Sequence, residues 1–178
     1  MSSYPIKATQ VSLDHRGGTK SYHTVLVETA DGLGLLVKRW GRKGVFGSIK
    51  TESYATYREA ERAFERIFNE KTRGGYEVVG KTVETVANDQ SELPTMFGRM
   101  LYPKLDAGAL QHIDPTIDVT GRREPDPPEY DENGDYIGRA PPRVIPRETI
   151  EAARKREAEE KKQKEQEGYA ANPLFGLF

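Results

Sequence analysis

The chain predicts an α+β fold: a small antiparallel sheet packed by one main α-helix, followed by an extended Pro-rich region and a charged C-terminal helix. Three observations carry this. Short β-branched and aromatic runs alternate between residues 5 and 54, separated by Gly-containing turns. The apolar period then becomes helical. Beyond residue 122 prolines and charges replace apolar periodicity.

The first strand spans residues 5–13. Ile6, Ala8 and then Val11 or Leu13 do not alternate cleanly, which suggests a bulge or kink near Thr9. A turn cluster, Asp14 to Thr19, follows. Tyr22, Thr24, Leu26 and Glu28 then alternate against His23, Val25, Val27 and Thr29. Asp31-Gly32 signals a hairpin into a third strand, Leu33 to Trp40. A fourth strand runs from Phe46 to Tyr54. Thr56, with Glu59 three residues on, marks a helix N-terminus. Ala60, Ala63, Phe64, Ile67 and Phe68 form the face that meets the sheet, opposite Glu59, Arg62, Glu65, Arg66 and Glu70. Lys71 suits the C-terminal end of the helix dipole, Gly74-Gly75 stops the helix, and Tyr76, Val78 and Val79 begin a last strand.

Composition narrows the function. Hydrophobic residues make up 35% of 178 and the mean hydropathy is −0.75, low for one compact domain. The net charge of −1 hides a division. Residues 1–80 carry 13 Lys and Arg against 9 Asp and Glu, and residues 81–178 carry 14 against 19. There is no Cys, which excludes disulfides and thiolate chemistry. The N-terminus lacks the apolar segment of a secretory signal, and no apolar run approaches the ~18 residues of a membrane span. The expected location is intracellular: cytoplasmic or nucleoid-associated, or the host cytoplasm for a viral protein. His15, His23 and His112 lack metal-ligand spacing. Asp131, Asn133 and Asp135 resemble part of a calcium loop, but Tyr136 stands where that loop needs Gly and no Glu closes it. Neither a metal nor a cofactor is expected, nor a catalytic set.

The stretch around Trp40, the only Trp, is the candidate site. Lys38, Arg39, Arg42 and Lys43 surround it, with Gly41, Gly44 and Gly47 interleaved and Lys50 following. By period two, Leu36, Lys38 and Trp40 share one face and Leu35, Val37 and Arg39 the other. An aromatic beside a basic turn can stack on a sugar or base while the cations meet phosphates. A core Trp in a hairpin with a solvated turn is the plainer reading.

Trp40-Gly41-Arg42 at a strand end, Lys43-Gly44, Gly47-Ser48, the amphipathic helix and its ending Asn69 to Tyr76 together resemble the WGR domain, as does the opening Gly18 to Tyr22. The resemblance covers roughly residues 5–80. It implies a WGR-like fold and DNA binding, since WGR domains of poly(ADP-ribose) polymerases bind DNA ends and breaks. It also implies that Trp40 packs on sugar near a terminus. Arg42 would contact DNA or another domain. Lys38, Arg39, Lys43 and Lys50 are candidate phosphate partners by charge and location. The chain has neither the length nor a recognisable nicotinamide-binding motif for a polymerase domain, so ADP-ribosyl transfer is not implied.

The expected organisation is a WGR-like domain (1–80), a packing or docking extension (81–121), a Pro-rich linker with a small hairpin at Tyr130 to Ile137 (122–146), a charged exposed helix (147–168) and an apolar tail (169–178). In the extension, the spacing of Phe97, Met100 and Leu101 predicts a short helix from Ser91 to Tyr102. The charged helix carries favourable i,i+4 pairs, Glu151 with Lys155 and Glu157 with Lys161, and has no heptad seam. Leu174, Phe175, Leu177 and Phe178 form a candidate partner-docking tail, because large apolar side chains favour burial. It is similar to the tails by which replication and transcription accessory proteins engage sliding clamps.

The expected function is therefore a non-enzymatic nucleic-acid-binding module, for DNA and DNA ends, with a C-terminal protein-docking arm. The alternative is a structural or adaptor protein of a larger assembly, with the fold and the tail serving protein contacts. A regulatory subunit for an ADP-ribosylating partner has the least support.

Overall fold

The computed structural model describes residues 4–125 and 147–170. Six strands form one antiparallel sheet: β1 (Ile6–His15), β2 (Lys20–Glu28), β3 (Gly34–Arg42), β4 (Ser48–Tyr54), β5 (Tyr76–Val78) and β6 (Val83–Ala87). The order is β4-β3-β2-β1-β5, and β6 pairs the N-terminal half of β1 alongside β5.

The broken alternation in β1 has a cause other than a bulge. Pairing with β2 runs from Lys7↔Glu28 to Asp14↔Ser21 with no residue skipped, so the expected bulge near Thr9 is absent. Instead β1 changes the face it buries. Ile6 and Ala8 enter one core cluster, Val11 and Leu13 the other. A strand paired along both edges and covered on both faces need not alternate simply.

Helix α1 (Tyr57–Arg73) covers the first face. The Glu59 backbone N–H donates to Thr56 Oγ1 at 3.3 Å, which caps the helix start. The backbone N–H of Gly74 returns to Glu70 O at 3.0 Å at its end. Ala60, Ala63 and Ile67 are buried against Val11, Leu13, Tyr22, Leu26 and Leu36, with Phe64 and Phe68 half-buried beside them. Glu59, Arg62, Glu65, Arg66 and Glu70 are exposed.

Residues beyond 88 cover the second face. Helices α2 (Leu93–Phe97) and α3 (Ala107–Ile113), joined through a 3-10 turn at Tyr102–Lys104, bury Leu93, Met96, Phe97, Leu105, Leu110 and Ile113. These meet Ile6, Val25, Val27, Leu35 and Val37 from the sheet. The helix expected through Tyr102 stops at Phe97, because Gly98 takes φ +85°, a conformation that ends a helix and that residues with a Cβ disfavour. Met100, expected on the helix's apolar face, is 72% exposed.

Buried polar groups pin α3 to the sheet. Asp106 caps it, accepting the Ala109 N–H at 2.7 Å, and also accepts a hydrogen bond from the Thr51 hydroxyl on β4. His112 Nε2 lies 2.9 Å from Gly34 O and 3.1 Å from Tyr54 O. Removing such a partner leaves a buried group unsatisfied, so these bonds fix the position of α3 more than they add stability.

Helix α4 (Arg147–Ala170) forms a separate unit whose described charged side chains are largely exposed. The hairpin expected at Tyr130 to Ile137 and the tail residues Leu174, Phe175, Leu177 and Phe178 lie outside the described residues. Among the described residues no helix is long and apolar enough to cross a membrane.

Leu110 is fully buried and comes from the segment beyond the strands. Leu110→Ala should cost about 2–5 kcal/mol in urea unfolding followed by circular dichroism. It should also shift the midpoint of a single transition that includes the sheet. An unchanged midpoint would mean that α3 is not part of the cooperative core.

Candidate nucleic-acid interface

The site is set by the pairing of β2 with β3. Tyr22 stands opposite Trp40, Thr24 opposite Lys38, and Lys20 opposite Arg42. Trp40 therefore lies on the α1 face, beyond the end of the apolar core, where its indole is 38% exposed. Its ring stacks on Tyr22 with centroids 6.2 Å apart and planes at 19°. Tyr76 meets Tyr22 edge-on at 6.3 Å, and His15 meets Tyr76 at 5.1 Å. Tyr22 is buried, so the exposed indole rests on an aromatic base that joins the core. Lys71, from the last turn of α1, places its ammonium 5.2 Å from the Tyr22 ring centroid and pairs with Glu70 at 2.9 Å. Burial, then the charges of Glu52 and Glu70, push the Tyr22 phenol above its ordinary range, so it stays neutral.

The turn after Trp40 is held by close backbone packing. A Cβ on Gly41 would lie 2.8 Å from Gly47 Cα, and one on Gly47 would lie 2.3 Å from Trp40 O. Gly47 also takes φ +76°. The segment from Gly41 to Gly47 thus folds directly against the Trp40 backbone, and the Lys43 N–H donates to Thr19 O at 2.9 Å across to the β1–β2 turn.

Two open depressions flank Trp40 and Tyr76, which line both. One continues along Thr19, Lys20, Gly41 and Arg42. The other continues along Ser48, Lys50, Glu70 and Lys71. Lys20, Arg42 and Lys50 make no ion pair among the described residues.

The six residues singled out in the sequence do not form one patch. Trp40, Arg42 and Lys50 come together. Lys43 is partly exposed but pairs with Asp14. Lys38 is mostly buried and pairs with Glu52, whose other oxygen accepts the Tyr54 hydroxyl at 2.9 Å. Burial lowers the Lys38 ammonium from its usual range, and the hydrogen bond and charge of Glu52 only partly oppose this. Lys38 is therefore a structural cation that neutralises a buried carboxylate, although the residue also lines the depression. Arg39 lies on the other face, its guanidinium 5.2 Å from the Phe46 ring centroid and donating to Phe46 O at 3.1 Å. Lys20, Tyr22, Lys71 and Tyr76 belong to the site and were not among the sequence candidates. Only the strand register and the helix placement bring them to Trp40.

The other face carries a pH-sensitive group. His23 Nδ1 lies 2.8 Å from Ser12 Oγ. Burial first, and Arg39 second, lower its pKa, against an opposing effect of Asp14. Among the described residues no group of three or more His, Cys, Asp or Glu is placed to hold a metal ion.

These features define a class: an α+β module that presents a supported aromatic at the end of an antiparallel sheet, with cations beside it that make no ion pair among the described residues. Residues 8–83 match the family model of the WGR domain. The match ends as β6 begins, and α2, α3 and α4 lie beyond it. No curated protein and no solved structure matches the chain.

Two outcomes are expected. Lys38→Met strands Glu52 in the interior and should destabilise the fold by about 3–5 kcal/mol, whereas Lys50→Met, at a partly exposed position with no ion pair among the described residues, should change stability by less than about 0.5 kcal/mol. Equal effects in parallel denaturant titrations would remove the distinction. For His23, whose folded pKa is lowered, the unfolded state binds more protons once pH falls below about 6.5, so acid should destabilise the fold. His23→Gln should flatten that part of the stability profile, and an unchanged slope would show that His23 titrates as it does in the unfolded chain.

Proposed function

We propose that this protein is a non-enzymatic DNA-binding module that engages duplex ends through the Trp40 edge of its sheet. The observation that supports this most is the partly exposed indole stacked on buried Tyr22, with Lys20, Arg42 and Lys50 around it making no ion pair among the described residues. An internal stretch of duplex offers phosphates and groove edges. Only an end, nick or gap offers a sugar or base face to a flat aromatic. The cations then supply the sequence-independent part of the affinity.

In the same reading, helix α4 presents the apolar tail to a protein partner. The tail has the composition of a docking element: Leu174, Phe175, Leu177 and Phe178 close to a strongly charged helix. A sliding clamp or other replication or transcription machinery is the partner class this composition suggests. The adaptor alternative keeps the tail and gives the Trp40 edge to a protein.

The test is fluorescence anisotropy of labelled duplexes, with and without a free 5′-phosphate end, at two salt concentrations. Wild type should prefer ends and weaken with salt. Trp40→Ala should lose about 1–3 kcal/mol of binding, and Arg42→Ala should lower the salt slope by about one. Absence of binding at low salt, or equal affinity of wild type and Trp40→Ala, would contradict the proposal and favour the adaptor.

A further inference from the structure

A second groove lies on the opposite face from Trp40. It has a volume of about 450 Å³ and opens to solvent between the β3–β4 turn and the segment that follows α2. Val25, Val37 and Phe97, all buried, contribute to its lining. Its rim is apolar and exposed: Val45 from the turn is 59% exposed, and Met100 from beyond α2 is 72% exposed.

Set into this apolar surface are two guanidinium groups, Arg39 and Arg99, and among the described residues no carboxylate lines the groove. Asp14, whose charge reaches His23 in the same groove, is held by Lys43. Arg39 is fixed in place by its stack on Phe46 and its bond to Phe46 O, and Lys104 adds a second cation 5.9 Å from the same ring centroid. Arg99 is exposed and makes no ion pair among the described residues.

We propose that this groove binds an extended peptide segment of a partner protein in which Asp or Glu alternates with large apolar side chains. Charge complementarity selects the acid: two guanidinium groups with spare N–H donors face no carboxylate among the described residues, and a fork of such donors suits a carboxylate. The Val45 and Met100 rim selects the apolar partner residues. A phosphodiester strand would set its charged backbone against the aliphatic rim, whereas apolar peptide side chains bury it, and an unbranched thioether adapts to different partners. The Met100 wall lies beyond the residues matched by the WGR family. The groove shares no lining residue with the depressions beside Trp40, so its occupant does not depend on whether that edge binds DNA.

The experiment pans a phage-displayed library of short random peptides on the full chain, then measures the enriched peptides by anisotropy against wild type, Arg99→Glu, Met100→Ser and Trp40→Ala. Arg99 and Met100 are exposed, so these variants should retain the wild-type circular dichroism and melting midpoint. Enriched peptides should combine Asp or Glu with Leu, Ile, Phe or Met. They should bind Arg99→Glu at least about tenfold more weakly, as expected for loss of a charge-assisted hydrogen bond. They should also lose affinity for Met100→Ser and keep it for Trp40→Ala. Four results would overturn the proposal: no enrichment, enrichment of basic or uncharged peptides, equal binding to Arg99→Glu, or displacement by a short single-stranded oligonucleotide whose own binding depends on Arg99.

Discussion

The pairing of Tyr22 with Trp40 is the constraint on which the site depends. It fixes the face of the sheet that carries the indole and gives that indole a buried ring to rest on. A shift of one residue between β2 and β3 would move every side chain of the moved strand to the other face. Trp40 would then lie beside His23, on the face covered by α2 and α3, and Arg39 would take its place next to α1. The apolar pairs Leu26↔Leu36 and Val25↔Val37 oppose that shift, because each belongs to a separate core cluster. The two cores thus hold the register that the site requires.

The buried ion pair has a related role. Glu52 stands opposite Leu36 on the α1 face, where the sheet passes from apolar core to polar edge. A lone carboxylate there would be expensive, and Lys38 with Tyr54 compensates it. Lys38 is thereby withdrawn from the surface. Charge counted along the sequence overstates the cations on the Trp40 edge for this reason, and again because Lys43 is engaged by Asp14 and Arg39 belongs to the other face.

Much of this architecture is legible in the chain. The alternation in β2 and β3, the Thr56 cap, the apolar stripe from Ala60 to Phe68 and the Gly74-Gly75 stop all follow from local chemistry. The placement of Leu36, Lys38 and Trp40 on one face and of Arg39 on the other follows from the period of a strand. The register does not. Read as a two-residue turn, Asp31-Gly32 would pair Trp40 with His23. The loop instead closes with the Thr29 N–H on Leu33 O, which centres the hairpin on Asp31 and brings Tyr22 to Trp40. The change of face in β1 is equally hidden, since it depends on which helix covers each half of the strand. The role of Met100 turns on Gly98 alone: without that glycine the spacing of Phe97, Met100 and Leu101 describes a continuing helix.

The central claim is that nucleic acid meets this protein at the Trp40 edge and not at the groove on the opposite face. A chain with one Trp gives one indole N–H resonance, so a two-dimensional ¹⁵N–¹H spectrum titrated with a short blunt-ended duplex reads the location directly. The account predicts that the Trp40 indole signal and the backbone signals of Lys20, Arg42 and Lys50 shift together and saturate together, while those of Arg39 and Arg99 stay in place. Shifts confined to Arg39 and Arg99, or an indole signal unmoved at saturation, would contradict it.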